Sequence, residues 1–177
     1  MIEKLSYIPK VLGIVNKWIS YIVKGAISLN LLTMVGIVFY AVISRNFLNA
    51  SIAWAEELSR ILFIWLVFSG AVLGLYYRDH LGLTLLVERF KPKQQLVFEI
   101  ISWILIIVVT RAMIYGGDRI VTTIKNARTP ALGLPTTLKY WPVLLAGYAM
   151  VLISIESLFH SIIKLVKQFV DNNGRGE

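Results

Sequence analysis

Of the 177 residues, 57% are hydrophobic and only 16% are charged. A soluble domain holds roughly 45–50% apolar and about 25% charged residues, so a soluble core of this size could not hide this much apolar surface. The net charge of +8 does not indicate nucleic-acid binding, because the basic residues lie at the edges of apolar blocks, and the absence of cysteine excludes disulfides and thiolate chemistry.

Four apolar blocks follow one another along the chain, and each is long enough to cross about 30 Å of hydrocarbon as a helix. Because backbone polar groups cannot stay unpaired in lipid, we expect these blocks to be helical. The predicted spans cover about residues 19–44, 55–77, 96–115 and 141–163. The sequence therefore predicts an all-α integral membrane protein with four transmembrane helices, forming a single membrane domain over residues 1–177.

The connection between the second and third spans, residues 78–95, carries leucines and a phenylalanine among charged residues. This pattern is typical of a short amphipathic helix that lies in the membrane interface, and Pro92 is expected to end it. An irregular loop is the alternative interpretation of such a short pattern.

The longest connection, residues 116–140, is rich in turn residues. Gly116-Gly117 is expected to end the third helix, and Thr129-Pro130 and Gly133-Leu134-Pro135 indicate turns. Trp141-Pro142 is expected to open the fourth helix, where proline is tolerated in the first turn.

An even number of spans places both termini on one side of the membrane. That side would carry ten Lys and Arg residues and the other side seven, with Lys24 inside the first span. The excess favours cytoplasmic termini.

The second predicted span carries three charged residues close to its start. It begins with Glu56, Glu57 and Arg60, whose spacing of three and four allows pairing along a helix. Projected at 100° per residue, one stripe holds Glu56, Arg60, Phe63, Val67, Gly70, Gly74 and Arg78, and the opposite side holds Trp54, Leu58, Ile61, Trp65, Val72 and Tyr76. The charges and the G-x-x-x-G pair predict that the first stripe faces other helices, while the tryptophan side faces lipid or a partner.

This stripe is interpreted as a packing and polar-network face inside a complex. The alternatives are an ion or proton pathway, or carboxylates at the water interface that only influence topology. In the fourth span, Glu156 and His160 are four apart and are expected to pair structurally near the helix end. No phosphate-binding loop or nucleophile elbow occurs, and no catalytic, cofactor-binding or metal site is predicted.

Two runs of residues carry a family resemblance. The first is Ser44-Arg45-Asn46, Trp54-Ala55-Glu56-Glu57-Leu58-Ser59-Arg60, Trp65, Gly70-Ala71 and His80; the second is Thr129-Pro130-Ala131-Leu132-Gly133-Leu134-Pro135, Tyr140, Pro142 and Glu156. In order and spacing they resemble the small membrane (Q) subunit of tripartite ATP-independent periplasmic (TRAP) transporters, over about residues 30–160. After His80 the sequence departs from the family pattern, which often has a basic and then an acidic residue.

The resemblance implies a non-enzymatic scaffold in the bacterial inner membrane. Its partners would be a large TRAP membrane subunit, which carries the substrate and sodium sites, a periplasmic substrate-binding protein that delivers a C4-dicarboxylate, sialic acid or another organic acid, and membrane lipids. No cofactor is expected. The candidate helix-packing or subunit-interface residues are Arg45, Trp54, Glu56, Glu57, Arg60, Trp65, Gly70, Gly74 and His80. A standalone small oligomeric transporter and a four-helix membrane enzyme are the alternatives.

Overall fold

Long helices account for most of the chain in the computed structural model, which describes residues 2–47, 52–77 and 92–173. The helices are α1 (Ile2–Phe47), α2 (Ala53–Tyr76), α3 (Pro92–Thr123) and α4 (Trp141–Asn173), and a short 3-10 helix (Thr136–Lys139) precedes α4. All four long helices contain a stretch that is long and apolar enough to cross a membrane. The prediction of an all-α fold with four spans is confirmed.

Helix boundaries differ from the predicted spans at several points. α3 continues through Gly116 and Gly117 to Thr123, so the prediction that these glycines end the helix is wrong. A Cβ atom at Gly117 would lie 3.1 Å from Leu144 Cδ2, so this glycine allows a close approach of α4, and that packing outweighs its low helix propensity. α3 begins at Pro92, where proline is tolerated because a first-turn residue needs no N–H donor.

The predicted interfacial helix cannot be compared with the structure, because residues 78–91 lie outside the described part of the chain. α1 begins at Ile2, well before the predicted start of the first span, and α4 runs on to Asn173. Both helices thus extend beyond their predicted apolar blocks.

α4 is the central helix of the bundle and packs against α1, α2 and α3, while α1 also packs along α2. A Cβ atom at Gly147 of α4 would lie only 2.6 Å from Ile114 Cγ1 of α3, so these two helices are in close contact. The buried core is formed by Val72, Leu75, Trp103, Ala146, Ala149 and Ile153. Larger side chains of the neighbouring helices therefore pack against small residues of α4.

The two ends of the bundle differ in construction. We call the end that holds the last turn of α1, the first turn of α2 and residues 124–140 the loop end. The opposite end, where α1 begins, α2 stops and α4 finishes, is the terminus end. There α1 and α4 continue side by side past the last turn of α2, in contact through Asn16 and Glu156.

Candidate functional site

A carboxylate near the start of α2 binds the segment that connects α3 to α4. Glu57 lies just after the first turn of α2, and one oxygen of its carboxylate accepts the backbone N–H groups of Ala131 (2.8 Å) and Leu132 (3.2 Å). The side chain of Thr129 and the charge of Lys139 lie close enough to this carboxylate to interact with it electrostatically. A single carboxylate oxygen therefore anchors the two consecutive N–H groups that follow Pro130 in the motif starting at Thr129.

The anchored segment has its own compact fold. Thr129 donates its N–H to the Leu134 carbonyl (2.8 Å), and its hydroxyl accepts the Leu134 N–H (3.0 Å). Gly133 has φ +65°, a left-handed conformation that glycine adopts without strain, and donates its N–H to the Thr129 carbonyl (2.9 Å). The Arg128 guanidinium donates to the Gly133 carbonyl (2.9 Å). These bonds present the Ala131 and Leu132 N–H groups together to Glu57.

A second contact fixes the end of this segment. The Trp65 indole N–H donates to the Leu138 carbonyl in the 3-10 helix (3.0 Å). Glu57 and Trp65 are eight residues apart, so the two anchors are about 12 Å apart along α2. The structure thus brings two predicted site residues together with the predicted turn motif. We call Glu57, Trp65 and residues 129–138 the loop clasp.

Three further predicted residues lie beside the clasp. Arg45 and Glu56 line a cavity of about 210 Å³ between the end of α1 and the start of α2. Trp54 lies near Tyr40 of α1, with ring centroids 6.1 Å apart. These contacts join α1 to α2 at the loop end.

The predicted orientation of α2 is reversed within this chain. Gly70 and the neighbouring Phe63 and Val67 are exposed, and a Cβ atom at Gly70 or Gly74 would meet nothing within 4 Å. The buried residues of α2 are Ala55, Ile61, Val72 and Leu75, with Trp65 partly covered. The bulky side chains of α2 pack against α4, because α4 contributes the small residues of this interface. The glycine stripe of α2 therefore lies on the outer side.

Arg60 is also exposed on this outward surface. We call the exposed surface formed by Arg60, Phe63, Val67 and Gly70, with the neighbouring Gly74, the outward stripe. The subunit-interface interpretation of these residues stays a prediction. His80 lies outside the described residues.

A polar contact at the terminus end was not anticipated. Asn16 is fully buried, and its side-chain amide donates to the Glu156 carboxylate and, at 3.5 Å, to the Leu152 carbonyl. A Cβ atom at Gly13 would lie 2.9 Å from Glu156 Oε1, so the glycine makes room for the carboxylate. The predicted pairing of Glu156 lay along its own helix, and nothing in the local sequence indicates a partner 140 residues away.

These arrangements are suited to holding segments together. Among the residues that the structure describes, no group of three or more His, Asp or Glu side chains could hold a metal ion. One oxygen of the Glu57 carboxylate accepts backbone N–H groups, and the Glu156 carboxylate accepts a side-chain amide. The two carboxylates therefore hold segments of the chain in position.

Comparison with known proteins relates this geometry to a family. Residues 34–164 match the DctQ component of tripartite ATP-independent periplasmic transporters. A TRAP transporter small permease protein of Haemophilus influenzae is 33% identical over 126 residues, which cover 71% of this chain and 78% of that protein. Another from the same organism is 21% identical over 147 residues, covering 83% of this chain and 85% of that protein. The matched region contains both halves of the loop clasp.

Proposed function

Since the chain belongs to the DctQ family of tripartite ATP-independent periplasmic transporter components, we propose that it is the small scaffold subunit of a sodium-coupled organic-acid importer. In this function it braces a large membrane subunit that carries substrate and sodium. A periplasmic binding protein delivers the acid, which is a C4-dicarboxylate, sialic acid or another carboxylate. The family match over residues 34–164 is the observation that carries the proposal.

The structure supports a bracing role over a transporting one. The clasp residues bond to one another, and the outward stripe leaves Arg60 and Gly70 exposed within this chain. Small residues let a second helix approach closely, and a charge within a membrane span is costly unless it faces protein or water. The stripe thus offers the large subunit a helix surface with small residues and one charge.

Reconstituted transport tests the proposal. Proteoliposomes would hold this chain co-purified with its large subunit, and the binding protein would be added outside together with a radiolabelled organic acid. We expect uptake only with both membrane subunits, the binding protein and an inward sodium gradient. Uptake by this chain alone would overturn the scaffold function, as would turnover of a substrate by the purified chain.

The outward stripe is tested by a matched pair of variants. Arg60→Ala is expected to weaken co-purification with the large subunit while leaving the helical content of the isolated chain unchanged. Arg119→Ala removes another exposed arginine, on α3, and should leave co-purification intact. Equal retention of the large subunit by both variants would contradict a role for Arg60.

We further propose that the chain resides in the bacterial inner membrane with both termini in the cytoplasm. Ser6 and Asn126 are replaced by cysteine one at a time, and intact cells are labelled from outside after permeabilisation of the outer membrane. Labelling is expected at residue 126 only. Labelling at residue 6 only would show the opposite orientation, with both termini outside the cytoplasm.

A further inference from the structure

The first helix carries a charged residue within its apolar stretch, and the structure shows where that charge lies. The Lys24 ammonium is 4.8 Å from the centroid of the Tyr77 ring and 5.6 Å from that of Tyr21. It also interacts with the Tyr77 side-chain oxygen. Tyr77 is the residue at which α2 ends. Lys24 therefore lies at the depth where α2 stops.

This depth is that of a membrane surface. The 24 residues of α2 are about 36 Å long, slightly more than the roughly 30 Å thickness of the hydrocarbon layer. The last residue of α2 is thus level with the lipid headgroups at the terminus end. Trp18 (67% exposed) and Tyr21 (59% exposed) face outward nearby, as aromatic residues do in an interfacial belt.

Among the described residues, no acidic side chain interacts with Lys24. Its interacting side chains there are Tyr77, Tyr21 and Tyr76, and none of them is a carboxylate. Lys24 is itself exposed to the exterior of the bundle. Tyr76 and Tyr77 are in edge-to-face contact with centroids 5.3 Å apart, which holds the Tyr77 ring in place.

A lipid phosphate would supply the negative charge that no described residue brings to Lys24. Its anionic oxygens accept hydrogen bonds from an ammonium and from phenol hydroxyls, and the diester lies at headgroup depth. We propose that Lys24, Tyr21 and Tyr77 form a binding site for the phosphate of an anionic phospholipid. The aromatic rings position the ammonium by cation–π contact, and the tyrosine hydroxyls direct their protons to the phosphate. This inference is independent of the proposed transport function.

Native mass spectrometry of the purified full chain in detergent tests the site. The probes are phosphatidylglycerol, phosphatidylcholine and inorganic phosphate, each titrated separately. We expect the wild type to bind phosphatidylglycerol more tightly than phosphatidylcholine. Lys24→Gln should weaken phosphatidylglycerol binding about fivefold, Lys24→Arg should restore it, and Tyr77→Phe should lower it by a smaller factor.

Lys125→Gln is the matched control, because Lys125 is an exposed lysine at the loop end. It should leave phosphatidylglycerol binding unchanged, and circular dichroism should show equal helical content in all variants. Equal binding by wild type and Lys24→Gln would overturn the site. Displacement of the lipid by millimolar inorganic phosphate would assign the site to a free anion instead.

Discussion

The two ends of the bundle hold their helices in different ways. At the loop end, Glu57 and Trp65 of α2 bind backbone groups of a neighbouring segment. At the terminus end, Asn16 of α1 and Glu156 of α4 bind each other through their side chains. Backbone donors belong to any sequence that adopts the right turn, whereas a side-chain pair exists only while both residues are present. At the loop end the bound segment should therefore tolerate substitutions that keep its turn, whereas the terminus end depends on the identity of both residues.

The largest expected effect is loss of the loop clasp. Glu57→Ala removes the acceptor for the Ala131 and Leu132 N–H groups, so exchange of the backbone amides in residues 127–136 should quicken by roughly tenfold or more. Hydrogen–deuterium exchange of that peptide measures this. Glu56→Ala is the matched control, because Glu56 is the exposed neighbouring carboxylate. Equal exchange in the two variants would show that the loop end does not depend on Glu57.

A smaller effect is expected at the terminus end. Asn16→Ala leaves the Glu156 carboxylate without its amide donor and should destabilise the isolated chain by about 1 kcal/mol, seen as a lower midpoint of thermal unfolding in detergent. Exchange in residues 127–136 should not change, since the two ends are separate. Lys17→Ala, at the exposed adjacent position, should melt like wild type. Quickened exchange at the loop end of Asn16→Ala would show that the two ends are coupled.

The smallest effect is expected on the outward stripe. A methyl group at Gly74 meets nothing within 4 Å, so Gly74→Ala should not destabilise the isolated chain and should stabilise it by about 0.5 kcal/mol through the higher helix propensity of alanine. At Gly147 the new Cβ would press on Ile114, and Gly147→Ala should cost about 1–3 kcal/mol. Thermal unfolding of both variants side by side measures the difference. Comparable losses would mean that Gly74 is already packed within the chain.

The fold was predictable because membrane spans are recognised from apolar length alone. Their ends were not, since an amphipathic or polar extension such as the start of α1 needs no apolar run to remain helical. Gly117 shows the same limitation, because a glycine that ends a helix and one that admits a neighbouring helix look alike in sequence.

The residues of the candidate site were predictable from the sequence, but the contacts between them were not. Glu57, Trp65 and the motif from Thr129 were all identified, but sequence spacing within α2 led to an expected pairing of Glu57 with Arg60. The contact across 74 residues depends on how the segment after α3 folds back along α2. Which face of α2 is inward within this chain was not predictable for a related reason, because it depends on α4, which supplies small residues to the core.

The length of α1 has a mechanical consequence. From Val11 to Phe47 it is one uninterrupted helix of 37 residues, about 55 Å long. If it pivots as a rod at the loop end, each degree of tilt carries Val11 sideways by about 1 Å. Small angular changes at the α1–α2 junction would thus become displacements of several ångströms at the far end. A spin-label pair, on Val11 and on the exposed Ile162 of α4, would convert such tilting into a measurable change of distance.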